Sequence, residues 1–147
     1  MKCYNVVLDS NIAHSGGATV AELNYFVNWD AIMPNKPYKV TFSFVSAVAL
    51  LTGTKVMGIK ANLGTNMVFA PEDGNTPTSL YLGTAHSSDM AALHYMNASF
   101  QDNPPLYINE RPNQNLLTIL LTNGATNILY TTPNPAEYVL VLHFEEQ

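Results

Sequence analysis

The 147 residues predict an all-β fold, an antiparallel sandwich or barrel, and three observations lead there. Eight or nine segments alternate apolar and polar residues with a period of two. Loops rich in Gly, Pro, Asn and Thr separate them. No stretch carries a convincing amphipathic helix. The chain closes on AEYVLVLHFEEQ, in which Tyr138, Leu140, Leu142 and Phe144 face one way while Glu137, Val139, Val141, His143 and Glu145 face the other. No hairpin partner follows this segment, so its partners lie far earlier in the chain. Tyr4-Val6-Leu8 and Tyr38-Val40-Phe42-Phe44 have comparably regular apolar faces and are the candidates. Residues 137–145 are then central in one sheet, with Glu145 and Glu146 at its rim.

Residues 2–9 form the first strand, with Tyr4, Val6 and Leu8 opposite Cys3, Asn5, Val7 and Asp9. Asn11 to Thr19 reads as a loop. A second strand runs from Ala21 through Leu23, Tyr25, Val27 and Trp29, and Ala31 to Pro37 reads as a turn. Tyr38 to Phe44 alternates again; beyond it, apolar residues on both sides through Leu51 predict either a fully buried strand or a brief helical turn. Thr52-Gly53-Thr54 suits a hairpin turn. In Val56 to Leu63, Met57, Ile59, Ala61 and Leu63 oppose Gly58, Lys60 and Asn62, and Gly58 suggests a bulge or close backbone contact. Residues 64–78 read as a long exposed loop. Ser79 to Thr84 and His94 to Phe100 read as strands, with a helical turn capped by Ser88-Asp89 between them. Leu106 to Asn109 is a short extended piece, Leu116 to Thr122 a buried strand, and Ile128 to Tyr130 a local pairing segment. No repeat, low-complexity tract or domain boundary interrupts residues 1–147, which predict one domain.

Composition narrows the function. The charged share is 12%, about half the value of roughly 25% usual for soluble domains, and Asn, Thr and Ser supply the polarity instead. Such a surface suits burial against other subunits; a β-protein with Thr- and Asn-rich loops accounts for it equally. Five lysines precede residue 61, and Arg111 is the only base after it. Without a basic cluster to displace counterions from phosphates, direct nucleic-acid binding is not expected. The first ten residues are too polar for a signal-peptide core. The longest apolar run, Val45 to Leu51 (interrupted by Ser46), falls far short of the roughly 20 residues that span a bilayer. A lone Cys3 offers no intrachain disulfide and no thiolate cluster, which suits a reducing cytoplasm.

Catalytic chemistry finds no motif. His14, His86, His94 and His143 show no close ligand spacing. His86 and His94 with Asp89 between them are the nearest approach to a cupin-type metal site, and ordinary imidazoles at strand ends are the plainer reading. A nucleophile needs a base and an orienting group, and Cys3 has no sequence context of that kind. Glu72-Asp73 and Glu145-Glu146 are adjacent pairs whose side chains diverge, unlike the facing carboxylates of a glycosidase. The expectation is a protein that is not an enzyme, with no catalytic, cofactor-binding or metal residues. Among the aromatics, Tyr25 and Trp29 suit the core. Phe26 stands alone on a face with Glu22, Asn24, Asn28 and Asp30, where an exposed ring marks a contact site.

NPPLYINERPNQNLLTILLTN (Asn103 to Asn123) and TTPNPAEYVLVLHFEE (Thr131 to Glu146) resemble the C-terminal half of small single-jelly-roll virion proteins of large double-stranded DNA viruses. ELNYFVNWDAIMPNKPYKVTFSFVSA (Glu22 to Ala47) is similar to their N-terminal half. The resemblance implies a single jelly-roll β-sandwich of two antiparallel four-stranded sheets with little or no helix. It implies a structural virion protein, a minor capsid or vertex (penton-type) subunit. Its expected partners are copies of itself, as a pentamer or trimer, and other capsid proteins; membrane insertion is not expected. Synthesis would be in the host cytoplasm and residence in the capsid. The family has no catalytic residues to carry over. The chain lacks the long basic arm and the large inter-strand insertion common among capsid bricks, which argues against genome packaging. The alternatives are a TNF- or C1q-like oligomeric module that binds a receptor or glycan, and more remotely the cupin-type metal enzyme.

Overall fold

A computed structural model describes residues 1–13, 15–16, 21–49, 56–63, 81–86, 93–98, 103–123 and 135–147. Its strands are β1 (Cys3–Asp9), β2 (Ser15–Gly16), β3 (Glu22–Phe26), β4 (Tyr38–Ala49), β5 (Val56–Ala61), β6 (Tyr81–His86), β7 (Leu93–Ala98), β8 (Leu106–Ile108), β9 (Leu116–Asn123) and β10 (Pro135–Glu146). A 3-10 turn, Ser10–Ile12, and one helical turn, α1 (Trp29–Ile32), are the other elements among the described residues.

The strands form two antiparallel sheets, of four and five strands. One runs β1-β10-β4-β7, and the other runs β6-β5-β9-β3-β2. Leaving aside the two-residue β2 and the short β8, successive strands mostly change sheet, and each sheet interleaves sequence-distant strands. This is jelly-roll wiring. Among the described residues a bridge from His86 to Asn97 joins β6 to β7, so the hydrogen-bonded path continues from one sheet into the other along that edge. β8 takes the edge of β4 at Tyr38–Val40, and β7 takes the same edge further on, at Phe44–Ala49.

The C-terminal strand lies where the alternation puts it. β10 pairs with β1 on one side and β4 on the other, with Leu142 opposite Val6 and Phe42. Tyr138, Leu140, Leu142 and Phe144 are all buried. At roughly 1.5–3 kcal/mol for each fully buried large apolar side chain, this strand face is a principal contributor to the hydrophobic term. The continuation of β4 beyond Phe44 is strand, not helix, because β10 and β7 sandwich it on both edges.

Across the core the sheets meet through aromatic rings. Trp29 of α1 packs edge-on against Phe144 of β10 at 5.6 Å between centroids, and within the first sheet Tyr38 of β4 packs edge-on against the same ring at 6.0 Å. The Tyr25 hydroxyl of β3 donates to the Tyr138 hydroxyl of β10 at 3.0 Å, a buried link between the sheets.

Two expectations shift. The second strand ends at Phe26, because the chain turns at Asn28 into α1 and does not carry its alternation through Trp29. Trp29 still reaches the core: one helical turn puts it on the same side as Met33, both buried, and its indole N–H donates to the Gln114 carbonyl at 2.9 Å. The bulge expected at Gly58 lies between Ile59 and Lys60, where β5 skips Leu82 in its pairing with β6. The readings of the 52–54 turn, the 64–78 loop, the capped turn at Ser88-Asp89 and the 128–130 segment lie outside the described residues.

Candidate functional site

The outward faces of the sheets carry the surface chemistry. On β1 and β10 the register sets Cys3 opposite Glu145, Asn5 opposite His143 and Val7 opposite Val141. Further along, Val139 stands opposite Val45 of β4. The middle of this face is therefore valine, with Val7 and Val45 about half exposed. Asn5 and His143 touch at one end, Asn5 Oδ1 lying 2.6 Å from His143 Nδ1. The Cys3 thiol, a ring nitrogen of His143 and a carboxylate oxygen of Glu145 all lie within 4.8 Å of one another.

At the opposite end is a depression of about 320 Å³, walled by Asp9, Asn11 and Glu137. The Asn11 amide donates to both carboxylates, at 3.0 Å to Asp9 and 3.3 Å to Glu137. Ser46, only 2% exposed, also lines it, and its hydroxyl has no hydrogen-bond partner among the described residues.

The second sheet presents uncharged polar groups. Asn24 Nδ2 donates to Ser15 Oγ, and Thr118 Oγ1 donates to Asn24 Oδ1 at 2.7 Å, a ladder across β2, β3 and β9. Asn62 ties β5 to β9, accepting from the Thr118 N–H at 2.8 Å and donating to the Leu116 carbonyl. Beside this ladder Phe26 and Leu116 are register partners, 66% and 46% exposed. The aromatic singled out by its polar strand face is thus on the surface, with a second apolar residue next to it.

Charged residues serve local ties. Arg111 pairs with Asp30 and donates to the Met33 carbonyl at 3.0 Å, clamping α1. Lys36 reaches Glu146 at 3.2 Å, and the Tyr4 hydroxyl donates to the same carboxylate. Burial pushes the Glu146 pKa up, but the Lys36 and Tyr4 hydrogen bonds and the nearby lysine charges outweigh it and hold it below the usual glutamate value. Lys60, on the strand face opposite Met57 and Ile59, is also buried, and burial lowers its pKa.

Glu145 and Glu146 diverge as neighbours on a strand do, one toward Cys3 and His143, the other toward Tyr4 and Lys36. His86 is exposed at the end of β6. His14, Asp89, Glu72, Asp73 and the side chain of His94 lie outside the described residues. The grouping of Cys3, His143 and Glu145 went unseen in the sequence because some 140 positions separate its parts. The signal for it is the β1–β10 register, which sets Cys3 beside Glu145 once Tyr4 is paired with Phe144.

No helix among the described residues is long and apolar enough to cross a membrane. Compared with models of protein families and with the sequences of curated proteins, the chain matches none.

Proposed function

We propose that this chain is a structural subunit of a virus shell, a minor capsid or vertex (penton-type) jelly roll that assembles with copies of itself and with other capsid proteins. One observation carries the reading: a jelly-roll body that exposes apolar residues on the outward faces of both sheets, on the second beside uncharged hydrogen-bonding groups. Val7, Val45, Phe26 and Leu116 lie on two different sheets, and the Ser15–Asn24–Thr118 ladder adjoins the last two. Subunit interfaces are depleted in charge at their centres and enriched in aromatics, which matches these surfaces. Apolar contacts on both sides of one domain suit a brick with more than one neighbour. The resemblance of Glu22 to Ala47, Asn103 to Asn123 and Thr131 to Glu146 to single-jelly-roll virion proteins points the same way.

On this reading the protein is made in the host cytoplasm and resides in the virion. It neither inserts into membranes nor contacts the genome. Of its few cations, Arg111 and Lys36 are already engaged with Asp30 and Glu146. Electron microscopy of the recombinant protein tests the proposal. Rings of fixed copy number, or closed shells, are expected. Isolated monomers at every concentration would overturn it, and so would a trimer that binds members of a glycan array.

A further inference from the structure

Three ligand types converge on the outward face of β1 and β10, at the edge of their sheet. The thiol of Cys3, an imidazole nitrogen of His143 and a carboxylate oxygen of Glu145 lie within 4.8 Å of one another. In a tetrahedral zinc site, bond lengths of about 2.0–2.3 Å put ligand atoms roughly 3.3–3.8 Å apart. The group is therefore within about 1 to 1.5 Å of binding geometry, a distance that side-chain rotation closes. Cys3 is exposed, so its thiol has room to rotate toward the other two groups.

The histidine is already oriented. Asn5 Oδ1 lies 2.6 Å from Nδ1; with the proton on Nδ1 this contact is a hydrogen bond to the amide oxygen and the ring's lone pair is on Nε2. Metal-bound histidines are held in the same way, with the non-ligating N–H donated to an oxygen. Asn5 is the direct register partner of His143, so the sheet itself fixes the arrangement.

We propose that Cys3, His143 and Glu145 bind one divalent transition ion of the zinc class, which clips the edge strand β1 to β10, with a solvent molecule as fourth ligand. One thiolate, one imidazole and one carboxylate suit zinc or cobalt and do not suit magnesium or calcium, which require oxygen. Binding converts the Cys3 thiol to thiolate and releases its proton to solvent. Lys39 stands opposite Glu145 on β4 and competes for the carboxylate, so the site binds more weakly than a closed four-ligand site. The ion connects β1, the edge strand of its sheet, to β10, and it therefore opposes local opening of that edge.

Cobalt titration of the reduced, chelator-stripped full chain tests this. The expected result is one equivalent bound, with a thiolate-to-cobalt absorption band and the visible spectrum of a tetrahedral ion, both displaced by zinc. C3S abolishes the band. H143Q and E145Q each weaken cobalt binding at least tenfold, and zinc raises the melting temperature of the wild type but not of C3S. Circular dichroism of the three variants without metal should match the wild type, since all three side chains face outward. Absence of a thiolate band in the wild type, or cobalt and zinc responses that survive C3S, would overturn the site.

Discussion

Gly83 of β6 faces the opposite sheet, and replacing it with alanine probes how closely the sheets approach. A Cβ there would lie 2.8 Å from Cε1 and Cζ of Phe42 and closer still to Oδ1 of Asn103. Unstrained carbon contacts sit near 3.5–4.0 Å, so the Phe42 ring would have to retreat by about 1 Å. Phe42 is buried on β4 between β10 and the core, with little room to do so. Asn103 is no easier to move. Its side chain accepts from the Thr84 N–H at 3.0 Å and donates to the Thr84 carbonyl at 3.2 Å, acting as a short extra strand for β6.

Overpacking costs about 1–3 kcal/mol. Loss of the two Asn103 hydrogen bonds adds about 0.5–1.5 kcal/mol each. The lower entropy of the unfolded alanine chain returns about 0.4–1 kcal/mol, since Gly83 does not occupy the left-handed region. The net is a loss of about 1–5.5 kcal/mol, centred on about 3 kcal/mol, a large share of the roughly 5–15 kcal/mol that holds a domain together. Trp29, buried and the sole tryptophan, reports unfolding by its fluorescence. With a urea slope of about 1–3 kcal/mol per molar, the midpoint should drop by roughly 1–2 M. Shortening the opposing ring should relieve the clash: Gly83→Ala with Phe42→Leu should lose less than the sum of the single changes by about 0.5–3 kcal/mol. A Gly83→Ala protein as stable as the wild type would refute the close approach.

Two further perturbations test the core. Leu142→Asp puts a carboxylate between Val6 and Phe42 at a fully buried position, at a cost of several kcal/mol; the protein should be insoluble or lack near-UV circular dichroism, whereas Leu142→Met should cost less than about 1.5 kcal/mol. Burial raises the pKa of Tyr25 and of Tyr138, so the folded chain holds their protons where the unfolded chain gives them up. That stability is fully present below the ordinary tyrosine value of about 10 and is lost as pH rises above it. Urea melts from neutral to strongly alkaline pH should show this fall, and Tyr138→Phe should flatten it while costing about 1–3 kcal/mol at neutral pH through the stranded Tyr25 hydroxyl.

The strands were legible where a period of two ran unbroken over one buried face. Tyr4-Val6-Leu8, Tyr38 to Phe44 and Tyr138 to Phe144 all read correctly, and so did their pairing, because no other segments offered matching faces. Trp29 misled because an apolar residue at the next inward position reads as strand whether the core is reached by a strand or by one helical turn. The burial of Lys60 was not legible, because alternation separates it from Met57 and Ile59 and carries nothing about whether its own face is covered. The surface groupings were the least legible. Phe26 stood out against its polar neighbours, but its partner Leu116 lies on β9, and Cys3, His143 and Glu145 meet only through register. Periodicity identifies a face and leaves the register between distant strands open.

The central claim is that this jelly roll exists to be packed against others. Light scattering on the purified chain across a wide concentration range measures it most directly, with Phe26→Asp and Val7→Asp alongside. The account predicts one oligomer of fixed size, a pentamer or a trimer, that persists on dilution, and a shift toward monomer when either apolar patch receives a charge. A monodisperse monomer throughout, unchanged by either substitution, would contradict it.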